Sequence, residues 1–256
     1  MTVLLVDIGN TRIKWVRVEG EKRGRRYAAA HSFWSPADYA RRLFLPKPPE
    51  RMVVASVAGP KVDAVLAAAA RRAGVAARFV TVPRRGAGVT VGYSEPWRLG
   101  VDRFVAAVGA IELFKGIPLC VVGVGTAMTV DLIASDGRHR GGVIIPAPAL
   151  MVDTLLRYTH GIRRRARGGT PAGTALFGRS TRAGVAQGAR YAAAALIDRA
   201  VEEGQKVVKR KPLAVLTGGE ASAVRLLVQS PCVGVPDLVL RGLSVLAGAE
   251  PPPRRR

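Results

Sequence analysis

Val3-Leu4-Leu5-Val6-Asp7-Ile8-Gly9-Asn10-Thr11-Arg12-Ile13-Lys14 opens the chain with an apolar run that ends on a carboxylate, crosses a small polar turn and resumes. That pattern reads as two strands joined by a tight loop. The same form recurs in the second half, where Leu119 to Val124 runs into Gly125-Thr126 and on into Ala127 to Ala134. Around the first pair lie a further extended stretch near 26–33, a helical stretch at 36–44, a β-branched run at 52–57, an Ala-rich helix at 60–73 and a strand at 78–82. Around the second lie a strand at 142–145, a helix at 147–158, a long helix at 180–204, strands at 213–217 and 232–235, and helices at 220–228 and 237–248. Each half follows a β-β-β-α-β-α plan. The expected fold is therefore α/β, with two similar lobes around a central cleft.

The 256 residues suffice for two domains with separate cores, and the pattern assigns 1–116 to an N-terminal lobe and 117–248 to a C-terminal lobe. Residues 249–256, with Pro251-Pro252-Pro253 followed by three arginines, read as a disordered basic tail, and 161–175 as a loop and candidate flap. No apolar run approaches the roughly 18 uncharged residues needed to span a bilayer, so no membrane partner is expected. The first seven residues read as a strand rather than a signal peptide, which predicts a cytoplasmic address. Cys120 and Cys232 each sit amid apolar residues and read as reduced, non-catalytic thiols.

A formal charge of +22 invites a nucleic-acid reading. Arginine is scattered through every segment, however, apart from 163–167 and the C-terminal tail, and aromatics are 5% of residues. Neither a zinc-finger spacing nor an aromatic RNA-binding run accompanies the charge, so a solvated basic surface and no specific nucleic-acid partner are expected.

Three constellations carry chemistry. Asp7 to Lys14 combines a strand-end carboxylate, a glycine permitting close approach of an anion, amide and hydroxyl donors and a lysine, a set suited to Mg²⁺ and phosphates. An ordinary hairpin is the alternative. Gly123-Val124-Gly125-Thr126-Ala127-Met128-Thr129-Val130-Asp131 supplies a corresponding turn in the second half. Met128 replaces the third glycine of a dinucleotide fingerprint, and β-branched strand rather than helix follows; a Gly-Lys-Ser/Thr loop occurs nowhere. Gly100-Val101-Asp102-Arg103, preceded by Tyr93 and Pro96, leads into a helix. Asp102 there is either a helix-terminal cap or a general base accepting the proton of an attacking hydroxyl, with Arg103 holding an anionic group. His31, His139 and His160 stand apart without metal-ligand spacing and read as surface or core residues, while Asp131 stays open between a structural and a cleft role. Trp15, Trp34 and Trp97 read as core.

Asp7-Ile8-Gly9-Asn10-Thr11, Gly100-Val101-Asp102-Arg103, Gly125-Thr126-Ala127-Met128-Thr129, Gly141-Gly142-Val143-Ile144-Ile145-Pro146, Ser180-Thr181 with Gly184 and Gly188, and Thr217-Gly218-Gly219 occur in the order seen in type III pantothenate kinases. The chain resembles that family over nearly its whole length. The resemblance implies duplicated ribonuclease-H-like lobes of the actin-like ATPase superfamily and ATP-dependent phosphorylation of pantothenate, the first step of coenzyme A biosynthesis. It implies ATP contacts from Asp7, Gly9, Asn10, Thr11, Lys14, Thr126, Gly218 and Gly219, with Mg²⁺ near Asp7. Pantothenate would meet Tyr93, Gly100, Val101, Asp102, Arg103 and Thr181, with Asp102 as proton acceptor. A homodimer is implied as well, with the Thr181 segment at its interface.

Three positions depart from the family pattern. Gly123 stands where the family often carries an aspartate implicated in binding K⁺ or NH₄⁺. Pro146-Ala147-Pro148 replaces a Pro-Gly, and the basic stretch His160 to Arg167 replaces an expected Leu-Pro. The rival readings are another actin-like small-molecule kinase and an accessory transcription regulator of the same family.

Overall fold

The structure, a computed structural model, describes residues 2–20, 22–168 and 173–248. In chain order the first elements are β1 (Thr2–Ile8), β2 (Arg12–Glu19), β3 (Lys22–Arg23), β4 (Tyr27–Ala30), α1 (Pro36–Leu43), β5 (Arg51–Ser56), α2 (Pro60–Arg72) and β6 (Ala76–Phe79). A small hairpin, β7 (Arg85–Gly86) and β8 (Val89–Thr90), and a 3₁₀ turn at Pro96–Arg98 precede α3 (Val101–Leu113). Then come β9 (Leu119–Val124), β10 (Ala127–Ile133), β11 (His139–Pro146), α4 (Pro148–Tyr158), α5 (His160–Arg165), α6 (Thr181–Val208), β12 (Leu213–Thr217), α7 (Ala221–Arg225), β13 (Cys232–Gly234) and α8 (Leu238–Gly248).

The chain forms two compact units, one of Met1–Leu113 with the segment from Leu238, the other of Phe114–Asp237. In the first, the sheet order is β3-β2-β1-β5-β6, with β4 also paired to β2; in the second it is β11-β10-β9-β12-β13. In both, a central strand pairs antiparallel with the strand after it and parallel with one reached by a helical crossover. The duplication expected from the sequence is therefore a duplication of topology.

β1 is a nearly continuous apolar run because helices cover both its faces. Leu4, Val6 and Ile8 join Tyr39, Leu43, Met52 and Leu66 in one core, while α3 and α8 lie on the other side of the sheet. In the second unit Val122, Val124, Met128, Val130 and Leu216 pack against Ala193, Ala194, Ile197 and Val201 of α6. Each fully buried aliphatic side chain of these sets contributes about 1.5–3 kcal/mol.

Two expectations change. The sequence grouping puts 238–248 in the second lobe, whereas α8 joins the first unit. Its glycine Gly242 meets the backbone of α3 at Val105, and Arg51 Nη2 and Arg78 Nη1 donate to the carbonyls of Ala247 (2.8 Å) and Leu246 (3.4 Å) at its C-terminal end. Cationic donors at that end satisfy carbonyls that lack intrahelical partners and complement the helix dipole. Second, part of the expected 161–175 loop is helical at His160–Arg165. Arginine is a good helix former, and although Gly161 lies within this helix, the glycine- and proline-rich stretch begins only at Gly168. The rest of the expected flap falls partly on 169–172 and the expected tail on 249–256, both outside the described residues. Among the described residues no helix is long and apolar enough to cross a membrane.

Candidate active site

Ten of the positions singled out in the sequence fall in the first unit: Asp7, Gly9, Asn10, Thr11, Lys14, Tyr93, Gly100, Val101, Asp102 and Arg103 lie on two of its segments, and Thr126, Thr181, Gly218 and Gly219 belong to the second unit. Each group has its own geometry.

β1 delivers Asp7 to the last turn of a buried strand, where it is 8% exposed. Opposite it in register stands Lys14, whose Nζ donates to Asp7 Oδ2 at 3.5 Å. The intervening turn closes through Gly9 N–H on the Arg12 carbonyl at 2.9 Å and leaves Asn10 and Thr11 exposed. No cluster of three or more His, Cys, Asp or Glu side chains able to hold a metal occurs among the described residues. A single strand-end carboxylate is nevertheless a donor set that fits Mg²⁺ carried on a nucleotide, since that ion keeps waters and phosphate oxygens as most of its ligands.

The second segment begins at Arg84. Its guanidinium donates to the carbonyls of Tyr93 and Ser94, both at 2.5 Å, and so holds the loop that carries Tyr93. Tyr93 Oη in turn accepts from Arg103 Nη1 at 3.2 Å, with the guanidinium 5.8 Å from the centre of the phenol ring. Arg103 is 7% exposed, a cation kept almost out of water. Asp102 lies in the first turn of α3, and its Oδ1 accepts from the Arg103 N–H at 2.9 Å. Gly100 makes room for that carboxylate, because a Cβ there would lie 2.6 Å from Asp102 Oδ1. Tyr93, Gly100, Asp102 and Arg103 are thus brought together with Val101 in one cluster around a helix N-terminus, where the dipole favours negative charge.

In the second unit, Gly125 N–H donates to the Ala127 carbonyl at 3.0 Å, closing a turn on which Gly125, Thr126 and Ala127 are exposed. The Thr217-Gly218-Gly219 segment packs on that turn. Thr217 pairs with Gly123, and Gly218, at φ +110°, comes so near Val124 that a Cβ would stand 2.1 Å from its carbonyl oxygen. Thr126, Gly218 and Gly219 are therefore neighbours. Thr181 is the first residue of α6, behind the cap Ser180, whose Oγ accepts from Ala183 N–H at 3.1 Å.

Asp131, left open in the sequence, is a core residue: it is 2% exposed and bonded to His139 Nε2 at 2.8 Å. Burial, with a smaller effect from the Asp131 charge, pushes the Cys120 thiol up to about 12, so it stays protonated. Trp97 departs from expectation, being 67% exposed with the Arg98 guanidinium 4.4 Å above its ring. Sequence reading missed two residues that support the site, Arg84 and His31. Arg84 is one of 40 basic residues and carries no local signal; His31 matters only through strand pairing.

A doubled sheet of this order, with a turn of small and hydroxyl residues between the first two strands of each copy, defines the duplicated ribonuclease-H-like fold class. Solved structures of similar fold align over 96% of the chain: one named as a Baf family transcriptional activator from Campylobacter jejuni (TM-score 0.61, 17% identity, 98% of that chain) and the ethanolamine utilization protein EutJ from Carboxydothermus hydrogenoformans (TM-score 0.51, 14% identity, 89% of that chain). The type III pantothenate kinase family model matches residues 3–203, and the chain belongs to that family. Relatives named type III pantothenate kinase include those of Nitrosococcus oceani, 35% identical over 96% of this chain and 93% of the relative, and of Azoarcus sp. strain BH72, 37% identical over 97% and 91%.

Proposed function

We propose that the protein transfers the γ-phosphoryl group of ATP to the primary hydroxyl of pantothenate, releasing ADP and 4'-phosphopantothenate at the entry to coenzyme A synthesis in the cytoplasm. Family membership supports the reaction, and one observation carries the assignment of roles. A carboxylate at the N-terminus of α3 stands beside a buried arginine that is braced by a tyrosine. Asp102 accepts the hydroxyl proton as the substrate oxygen forms its bond to the γ-phosphorus and the bond to the β,γ-bridging oxygen breaks. Arg103, Tyr93, Gly100, Val101 and Thr181 hold the acid, whose carboxylate suits a guanidinium. The exposed donors of the 9–11 turn and Lys14, with Thr126, Gly218 and Gly219, take the nucleotide. Mg²⁺ held near Asp7 would neutralise charge on the phosphates. Such a loose transfer depends mainly on positioning and electrostatics, which is what these residues supply.

An ADP-release assay across pantothenate, sugars and small hydroxy acids tests the reading. Turnover with pantothenate and none with sugars is expected, and the reverse would sink it. Gly123 presents no carboxylate, and a Cβ there would already lie 3.1 Å from Thr129 Oγ1. Exchanging K⁺ or NH₄⁺ for Na⁺ in the same assay is therefore expected to leave the rate unchanged. The homodimer is proposed on the family resemblance, with the segment of Thr181 at the start of α6 at its interface. Light scattering should return twice the mass of one chain; a single-chain mass would remove the dimer from the proposal.

A further inference from the structure

Beneath the Gly9-Asn10-Thr11 turn lies a buried imidazole that the scheme above does not use. β4 pairs with β2 so that Ala30 faces Arg12 and Ala29 faces Ile13, which brings the next residue, His31, level with the turn. His31 is 4% exposed. Its Nε2 is 2.7 Å from the Gly9 carbonyl oxygen and its Nδ1 is 3.2 Å from Tyr39 Oη.

A carbonyl oxygen can only accept, so Nε2 carries the proton and Nδ1 accepts from the Tyr39 hydroxyl. Burial, and after it the charge of Asp63, raises the Tyr39 phenol above its ordinary range and keeps it a donor. The chain of bonds runs from Tyr39 through His31 to Gly9. In a planar trans peptide the C=O and the following N–H point to opposite sides. With the Gly9 carbonyl held inward, the Asn10 N–H is turned outward to the exposed side of the turn. Were that peptide to flip, a carbonyl oxygen would face the anion in place of a donor.

We propose that His31 is a positioning residue that locks the Gly9–Asn10 peptide with its N–H aimed at a nucleotide phosphate. The inference rests on the assignment of this turn to ATP. Donors fixed before binding need no reorganisation when the phosphate arrives.

Calorimetric titration of ATP with Mg²⁺ into the wild-type protein, His31→Gln, His31→Asn and His31→Leu tests it, alongside thermal unfolding of each. A glutamine amide reaches about as far as Nε2, whereas asparagine stops near the Nδ1 position. His31→Leu and His31→Asn are expected to bind ATP about tenfold more weakly, the worth of one hydrogen bond to a charged group, and His31→Gln to stay within about threefold. KM for pantothenate should not move. Wild-type affinity in folded His31→Leu and His31→Asn, or an equal loss in His31→Gln, would overturn the proposal. If the leucine variant does not fold, the Gln and Asn pair decides. ¹⁵N NMR of the wild-type imidazole gives a check free of any variant: the Nε2–H tautomer is expected, and Nδ1–H would refute it. A wild-type protein that binds no ATP would overturn the assignment of the turn itself, and this inference with it; wild-type binding with indifferent variants would overturn this inference alone.

Discussion

Asp102→Asn is expected to lower kcat about 10²–10⁴-fold, with KM for ATP and the melting temperature nearly unchanged. The asparagine keeps an oxygen where Asp102 Oδ1 accepts the Arg103 N–H, and it is the same size beside Gly100. What it loses is the charge and the ability to take a proton. The charge at a helix N-terminus is worth about 0.3–1 kcal/mol to stability. The expected kinetic loss corresponds to about 2.7–5.5 kcal/mol of transition-state stabilisation. The two roles open to Asp102 therefore differ in both magnitude and readout. Steady-state kinetics and thermal unfolding of the same preparation separate them, and near-normal turnover would leave Asp102 as a helix-terminal group only.

Gly242→Ala should produce the largest loss of stability. A Cβ at 242 would stand 1.9 Å from the Val105 carbonyl oxygen and 2.8 Å from its carbon, and both are backbone atoms that no rotamer change can move. Across the same contact a Cβ at Gly109 would meet the Leu238 carbonyl oxygen at 2.6 Å, so α3 and α8 touch backbone to backbone and must separate to admit a methyl group. Such overpacking costs roughly 3 kcal/mol, or a fall of roughly 6–12 °C in Tm for a chain of this length. Gly248→Ala is the control, because nothing lies within 4 Å of that position. Differential scanning calorimetry of the two reads the contrast directly, and equal Tm values would show that α8 is not held by this contact. Activity should fall with stability, since α3 carries Asp102 and Arg103 within a turn of Val105.

Strands β1, β2, β9 and β10 were legible in the sequence because their apolar runs are interrupted only by short turns of glycine, asparagine and threonine, residues that make tight loops whatever surrounds them. Asp102 and Arg103 were legible as a pair for a similar reason: their chemistry and their place before a helix are both local. Arg84 was not. Its function as a clamp on the Tyr93 and Ser94 carbonyls depends on how the chain returns after the β7–β8 hairpin, and any exposed arginine looks the same in the sequence. The short helix at His160–Arg165 was hidden by the glycines and proline that follow it.

The sequence by itself determined the order of the principal strands and helices, the duplication, the two polar turns and the residue types able to hold phosphates and an acid, since each follows from local periodicity or from side-chain chemistry. Only the tertiary structure decided which unit owns α8, that Asp131 is spent on a buried bond to His139, and that His31 braces the turn of Asp7 to Lys14. Those three rest on contacts between segments that periodicity does not connect. A lone histidine or a helix glycine acquires its role only when strand pairing and helix crossing set another backbone within about 3 Å of it.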